Sequence, residues 1–136
     1  MGQQQLLLVI LVTIIVGIAT VVAINTFSSA SDNANVDAVT NDIVQIASSA
    51  QSYYMKPAMM GGGGNTFDNM EFQDLTFPGT VNSITEGVNA NGTYTLSNVG
   101  GQTFTITAVP ATAGGSATAT VGKDGITSSG VVYTGS

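Results

Sequence analysis

The sequence predicts an α+β protein in which one long N-terminal helix packs on a C-terminal antiparallel β-sheet. Three observations lead to this prediction: an apolar block at residues 6–24, an amphipathic pattern after it, and alternation of apolar and polar residues in the last third. At 136 residues, the chain has room for one modest core beside the apolar block. We therefore divide it into a stem, residues 1–24, and a head, residues 25–136.

The stem is predicted to form a helix that is apolar on all sides. Residues 6–24 carry no charge, and at about 1.5 Å per residue they approach the ~30 Å hydrocarbon thickness of a bilayer. A cleaved signal peptide fits less well, because the block is long, no basic segment precedes it and no Ala-x-Ala site follows it cleanly. The stem is therefore expected to cross a membrane or to lie inside an assembly.

The head is predicted to begin with an amphipathic helix over residues 25–56. Residues 25–55 contain neither Gly nor Pro, so nothing forces the stem helix to stop before Pro57. A break or kink within 25–35, which is rich in Ser, Thr and Asn, stays open as an alternative. An apolar stripe with helical spacing is formed by Val36, Val39, Ile43, Ile46, Ala50 and Tyr53. The aspartates Asp32, Asp37 and Asp42 are predicted to lie largely outside this stripe.

Residues 57–92 are predicted to form a Gly-rich loop. The run at residues 61–64 is four consecutive glycines, which no core is expected to hold rigidly. The apolar residues in 65–85 are spaced irregularly, which indicates a loop with a short helix or strand packed on the sheet.

Residues 93–136 are predicted to form the antiparallel sheet. Strict alternation marks three strands, at residues 93–97, 103–108 and 117–121, and a fourth is expected at 131–133. Gly100-Gly101 and Asp124-Gly125 are typical of tight turns between strands.

The composition disfavours catalysis and nucleic-acid binding. The chain has no Cys and no His, so it lacks thiol and imidazole nucleophiles and the usual ligands of zinc, haem and iron–sulfur clusters. Lys56 and Lys123 are its only cationic side chains against a net charge of −6, which leaves no basic patch for phosphates. We expect no enzyme activity, no cofactor and no direct nucleic-acid binding.

The order of elements resembles that of type IV pilins and the related pseudopilins along nearly all 136 residues. The likeness is closest in style where GTYTLSNVGGQTFTITAV is followed by ATATV, at residues 92–121. The resemblance implies a structural subunit that polymerises with copies of itself into an extracellular surface filament. It also implies insertion in the cytoplasmic membrane before assembly and handling by a pilus assembly machinery. The alternatives are a pseudopilin of a type II secretion-like system and a single-span membrane-anchored binding module.

The N-terminus departs from the family pattern that this resemblance brings with it. In the family a peptidase cuts after a Gly, the new N-terminus is methylated, and the fifth mature residue is Glu. Here the fifth residue is Gln5 if the mature chain starts at Met1, and Leu7 if the cut follows Gly2. A neutral glutamine still offers an acceptor to a neighbour's terminal amine. We expect assembly contacts along the stem at Met1, Gln5, Leu6, Leu8, Ile10, Ile14, Gly17, Val21 and Ile24.

Two further motifs have a functional and a plainer structural interpretation. Asp68, Glu71 and Asp74 lie three apart, so a helix would bring their carboxylates together as weak candidates for a Ca²⁺ site; the alternative is a solvated acidic face. Asn91 opens an Asn-Gly-Thr sequon, which makes it a candidate for N-linked glycosylation. The alternative is a turn before a strand.

Overall fold

The computed structural model describes residues 2–135 and begins with helix α1, Gly2–Met55. At about 1.5 Å per residue, the helix is about 80 Å long. It runs without interruption through residues 25–35, so the break left open there does not occur. It ends just before Lys56 and Pro57, as the sequence predicts.

Within residues 2–135, seven strands form one antiparallel sheet, and the predicted α+β architecture is confirmed. The strands are β1 Thr80–Val81, β2 Glu86–Val88, β3 Gly92–Gly100, β4 Thr103–Pro110, β5 Ser116–Gly122, β6 Gly125–Ile126 and β7 Val132–Thr134. They pair in chain order from β1 to β6, while β7 pairs with the start of β5 and β6 with its end. The three long strands β3, β4 and β5 are those that strict alternation predicts.

The β3–β4 turn lies one residue later than predicted. The register shifts between Ser97 and Gly100, so Gly100 still belongs to β3 and the connecting residues are Gly101 and Gln102. Gly101 has a φ of 60°, a left-handed conformation that glycine adopts without a steric penalty.

Strands β1 and β2 lie inside the range 57–92 that the sequence assigns to a loop. They are two and three residues long, too short for alternation to show. Position 87 of β2 requires a glycine because the ring of Phe72 packs against its backbone. A Cβ there would lie 2.6 Å from a Phe72 ring carbon. The aromatic side chains of the irregular segment therefore pack under the sheet, as the sequence predicts for this segment.

The core lies between one face of α1 and one face of the sheet. From the helix it receives Val39, Asp42, Ile43, Ile46, Ala47, Ala50 and Tyr54. The predicted stripe is thus confirmed apart from its ends, since Val36 and Tyr53 are half-buried and Tyr54 is buried instead. Asp42 was predicted to lie outside the stripe, and that prediction is wrong: only 8% of its surface is exposed.

The glycine run folds back onto the end of α1. The N–H groups of Gly63 and Gly64 donate to the carbonyls of Tyr53 and Lys56, at 2.8 and 3.0 Å. A helix leaves its last carbonyls without partners, and here the loop supplies them. A Cβ at Gly63 would lie 2.0 Å from the Thr66 carbonyl oxygen, so this close approach requires glycine. The loop is held more firmly than its composition predicts.

Candidate functional site

The stem is the most unusual surface of the molecule. Its aliphatic side chains are all exposed, by 50% to 67% each. They are Leu6, Leu7, Leu8, Val9, Ile10, Leu11, Val12, Ile14, Ile15, Val16, Ile18, Val21, Val22 and Ile24. Monomeric soluble proteins rarely expose contiguous apolar patches of this kind. By length and composition α1 is able to cross a membrane, and none of its apolar window is buried within the chain.

The polar side chains within the stem are compatible with a water-free environment. Thr13 and Thr20 donate their hydroxyl protons to the carbonyls of Val9 and Val16, each at 2.8 Å. The helix satisfies its own backbone groups, so neither hydroxyl needs water. The stem is thus equally suited to lipid and to a bundle of packed helices.

Most of the predicted assembly residues share one side of the stem. At about 100° per residue, six of them fall within an arc of about 80°. These six are Leu6, Ile10, Ile14, Gly17, Val21 and Ile24. Leu8 lies on the opposite side and Gln5 about 100° from Leu6, while Met1 is outside the described residues.

Gly17 forms the floor of a shallow apolar groove on that side. A Cβ built at Gly17 would meet no other atom within 4 Å, so the space beside it is open. The groove is lined by Thr13, Ile14, Gly17, Ile18, Val21 and Val22. Small residues at such positions allow another helix to approach closely.

Residues 25–34 connect the stem to the packed part of the head, and we call them the neck. The neck is helical and exposed, apart from the half-buried Asp32. Its residues are polar apart from two alanines and Phe27. Phe27 is its one large apolar side chain and is 77% exposed. The neck holds the stem clear of the sheet.

Asn35 fixes the point at which the head meets the helix. Its side-chain NH₂ donates to the Asn91 carbonyl at 2.8 Å. Its side-chain oxygen accepts from the backbone N–H groups of Thr112 and Ala113, at 3.0 and 3.2 Å. One residue therefore holds two separate loops of the sheet against α1.

Asp42, two turns further along α1, makes a second and more deeply buried attachment. Its Oδ2 accepts from the side-chain amides of Asn89 and Asn91, at 2.9 and 2.8 Å, and from the Tyr94 hydroxyl at 2.5 Å. Burial, followed by the hydrogen bond to Asp42, raises the pKa of Tyr94 far above its ordinary value, so the hydroxyl stays protonated. The spacing in the sequence indicates the burial of Asp42, because Asp42 lies three residues after Val39 on the buried stripe.

The sequon at Asn91 belongs to this attachment. Its side-chain nitrogen, the atom that an N-linked glycan would occupy, faces the Asp42 carboxylate rather than solvent. The geometry therefore explains Asn91 as a structural residue of the turn before β3, and glycosylation stays a prediction from sequence.

The three acidic candidates of the loop do not form one cluster. Asp68 Oδ1 accepts from the Gly101 N–H at 2.7 Å, and Asp74 Oδ2 accepts from the Glu71 N–H at 2.9 Å. The segment is a short 3₁₀ turn, Phe72–Asp74, and not the helix that would align all three. In residues 2–135, no group of three or more His, Cys, Asp or Glu side chains is placed to hold a metal ion.

The head also has a polar cleft of about 610 Å³ between α1 and the glycine loop. Ser48 and Ser52 line it from the helix, and Lys56 and Asp74 lie at its sides. Burial and the nearby carboxylates, Asp74 first, raise the pKa of Tyr53 beside it.

No protein-family model, curated protein or solved structure matches this chain.

Proposed function

We propose that this chain is the structural subunit of an extracellular filament of the type IV pilus kind. Copies insert in the cytoplasmic membrane through the stem, and an assembly machinery transfers them into a filament in which the stems form the core. The proposal assigns the chain no catalytic activity and no cofactor.

The observation that carries the proposal is that every large aliphatic side chain of the stem is exposed, on a helix that continues into the head. Burying apolar surface contributes about 25 cal/mol per Å², and the stem offers a large amount of such surface on all sides. Lipid and a helix bundle both cover it and both leave the backbone satisfied internally. The transfer between the two environments is therefore close to neutral in solvation.

The attachments at Asn35 and Asp42 give a second, mechanical support. A polymer subunit has to hold its head in a fixed orientation relative to its stem, because each contact must repeat with the same operator. Both residues are on α1 itself, so the head is bound directly to the helix that carries the stem.

The test is cryo-electron microscopy of material sheared from cells that produce the chain. We expect thin filaments in which residues 2–24 of neighbouring copies bundle at the axis and the sheets face outward. An empty sheared fraction, with the chain retained in the membrane, contradicts the proposal and supports the single-span binding module. A chain that forms only short, rare assemblies inside the cell envelope supports the pseudopilin alternative.

A further inference from the structure

Phe27 is exposed where its surroundings are polar. It has Asn25 and Thr26 on one side in sequence and Ser28 and Ser29 on the other, and 77% of its surface faces solvent. No contact within the head covers the ring. The nearest apolar surface of its own chain is the stem below it.

The Gly17 groove is the complementary feature. It is open beside the glycine and its walls are aliphatic. The one hydroxyl in its lining, that of Thr13, donates to the Val9 carbonyl, so it needs no hydrogen bond from a side chain that enters the groove. The groove therefore accepts an apolar side chain without leaving a polar group unpaired.

We infer that Phe27 of one copy occupies the Gly17 groove of the next copy. This inference rests on the filament proposal, and it specifies which surfaces of neighbouring stems meet. Copies that enter a membrane in the same direction lie parallel. Ten residues separate Phe27 from Gly17, so the neighbours are offset by about 15 Å along the helix axis. The offset moves the ring from the level of the polar neck to the level of the apolar block.

The directions of the two features determine what kind of assembly follows. Around an ideal helix, Phe27 and Gly17 point about 80° apart. One copy therefore inserts its ring into a first neighbour and receives a ring from a second. A contact between two different surfaces that repeats in this way gives an open chain and not a closed dimer.

A pair of engineered cysteines tests the contact without altering either feature. Ala30 lies one turn above Phe27, and Val21 lies one turn above Gly17, on the sides that face each other in the proposed contact. The chain has no cysteine of its own. Nine residues of helix, about 13.5 Å, prevent a bond within one copy, because disulfides need Cα atoms about 4.4–6.8 Å apart.

Filaments of the Ala30→Cys, Val21→Cys double variant should give a ladder of dimers, trimers and larger species after mild oxidation, run without reductant. Each single variant should give monomers. The matched control is Ala30→Cys with Ile14→Cys, which places the second thiol on the same side of the stem two turns lower. It should give no ladder.

Substitutions of the two features themselves provide the second measurement. In the double-cysteine chain, Phe27→Ser and Gly17→Leu should abolish the ladder, whereas Phe27→Leu should keep it. Gly17→Leu is informative because a Cβ at this position meets open space, so the larger side chain has room on its own helix and fills the groove that Phe27 would enter.

The outcomes separate this inference from the proposal on which it depends. The contact is overturned if filaments form but the Ala30→Cys, Val21→Cys variant gives no ladder. It is also overturned if the Ala30→Cys, Ile14→Cys variant gives the ladder instead. Either result leaves the filament proposal standing. Absence of filaments from the unmodified chain overturns the filament proposal itself. A filament map of the unmodified chain that shows Phe27 still facing solvent also overturns the contact, even if the cysteine variants do not assemble.

Discussion

Removal of the Asp42 side chain should destabilise the head. In Asp42→Ala three donors lose their common acceptor, at the side chains of Asn89, Asn91 and Tyr94. Hydrogen bonds to a charged group contribute about 1.5–3 kcal/mol each, but the three are not additive because they share one oxygen. The substitution leaves one buried hydroxyl and two half-buried amides without their acceptor. A buried donor without an acceptor costs about 1–3 kcal/mol, so we expect a loss of about 2–4 kcal/mol.

The measurement is urea unfolding of the full chain in detergent, followed by the near-ultraviolet circular dichroism of the tyrosines. Asp42→Asn keeps the shape and one acceptor oxygen, so we expect a smaller loss, of about 1–3 kcal/mol. Asp37→Ala is the matched control, because Asp37 is an exposed aspartate on the same helix, and it should change stability by less than about 0.5 kcal/mol. Equal midpoints for Asp42→Ala and Asp37→Ala would refute the acceptor role of Asp42.

Three further predictions concern the stem, the pH dependence and the sheet. Val16→Asp or Gly17→Pro should abolish filaments while the head keeps its dichroism spectrum, because a buried charge costs about 2.5–3.5 kcal/mol at a helix centre and proline breaks the helix; normal filaments from either contradict a core made of stems. The raised pKa of Tyr94 means that the unfolded chain loses this proton first, so the contribution of Tyr94 to stability should be complete below the ordinary pKa of 10.0 and be lost as the pH rises above it. Tyr94→Phe should make that fall smaller in a pH series of unfolding curves, and a smaller fall should remain because the pKa of Tyr53 is also raised. Gly87→Val should cost about 1–3 kcal/mol in the same assay through overpacking against Phe72, and an unchanged midpoint would show that the ring moves aside.

The sequence predicts the elements whose pattern repeats often enough to be read. The helix contains several turns of its apolar stripe, and strands β3, β4 and β5 each contain several periods of alternation. One buried face determines the register of these strands. Strands β1 and β2 were missed because two or three residues contain no full pattern. Gly87 also looks like a loop residue until the ring of Phe72 is placed beside it.

The candidate site was predicted in part. Composition alone locates the stem, because so small a head is unable to cover an uncharged, largely aliphatic block of 19 residues. The roles of Asn35 and Asp42 were not predicted, since they depend on which loops of the sheet reach the helix. Charged residues are usually solvated, and Asp42 is buried only because three donors from the β2–β3 region converge on it.

In the proposed filament, the neck would set the angle and the distance between the stem in the core and the head at the surface. Because α1 has no break, each residue inserted between Phe27 and Asn35 would rotate the head by about 100° around the stem and raise it by about 1.5 Å. Insertion of seven residues would nearly restore the direction at a height about 10.5 Å greater. In the proposed filament, the number of residues in the neck, and not only their chemistry, would therefore set which side of each sheet faces a neighbouring copy.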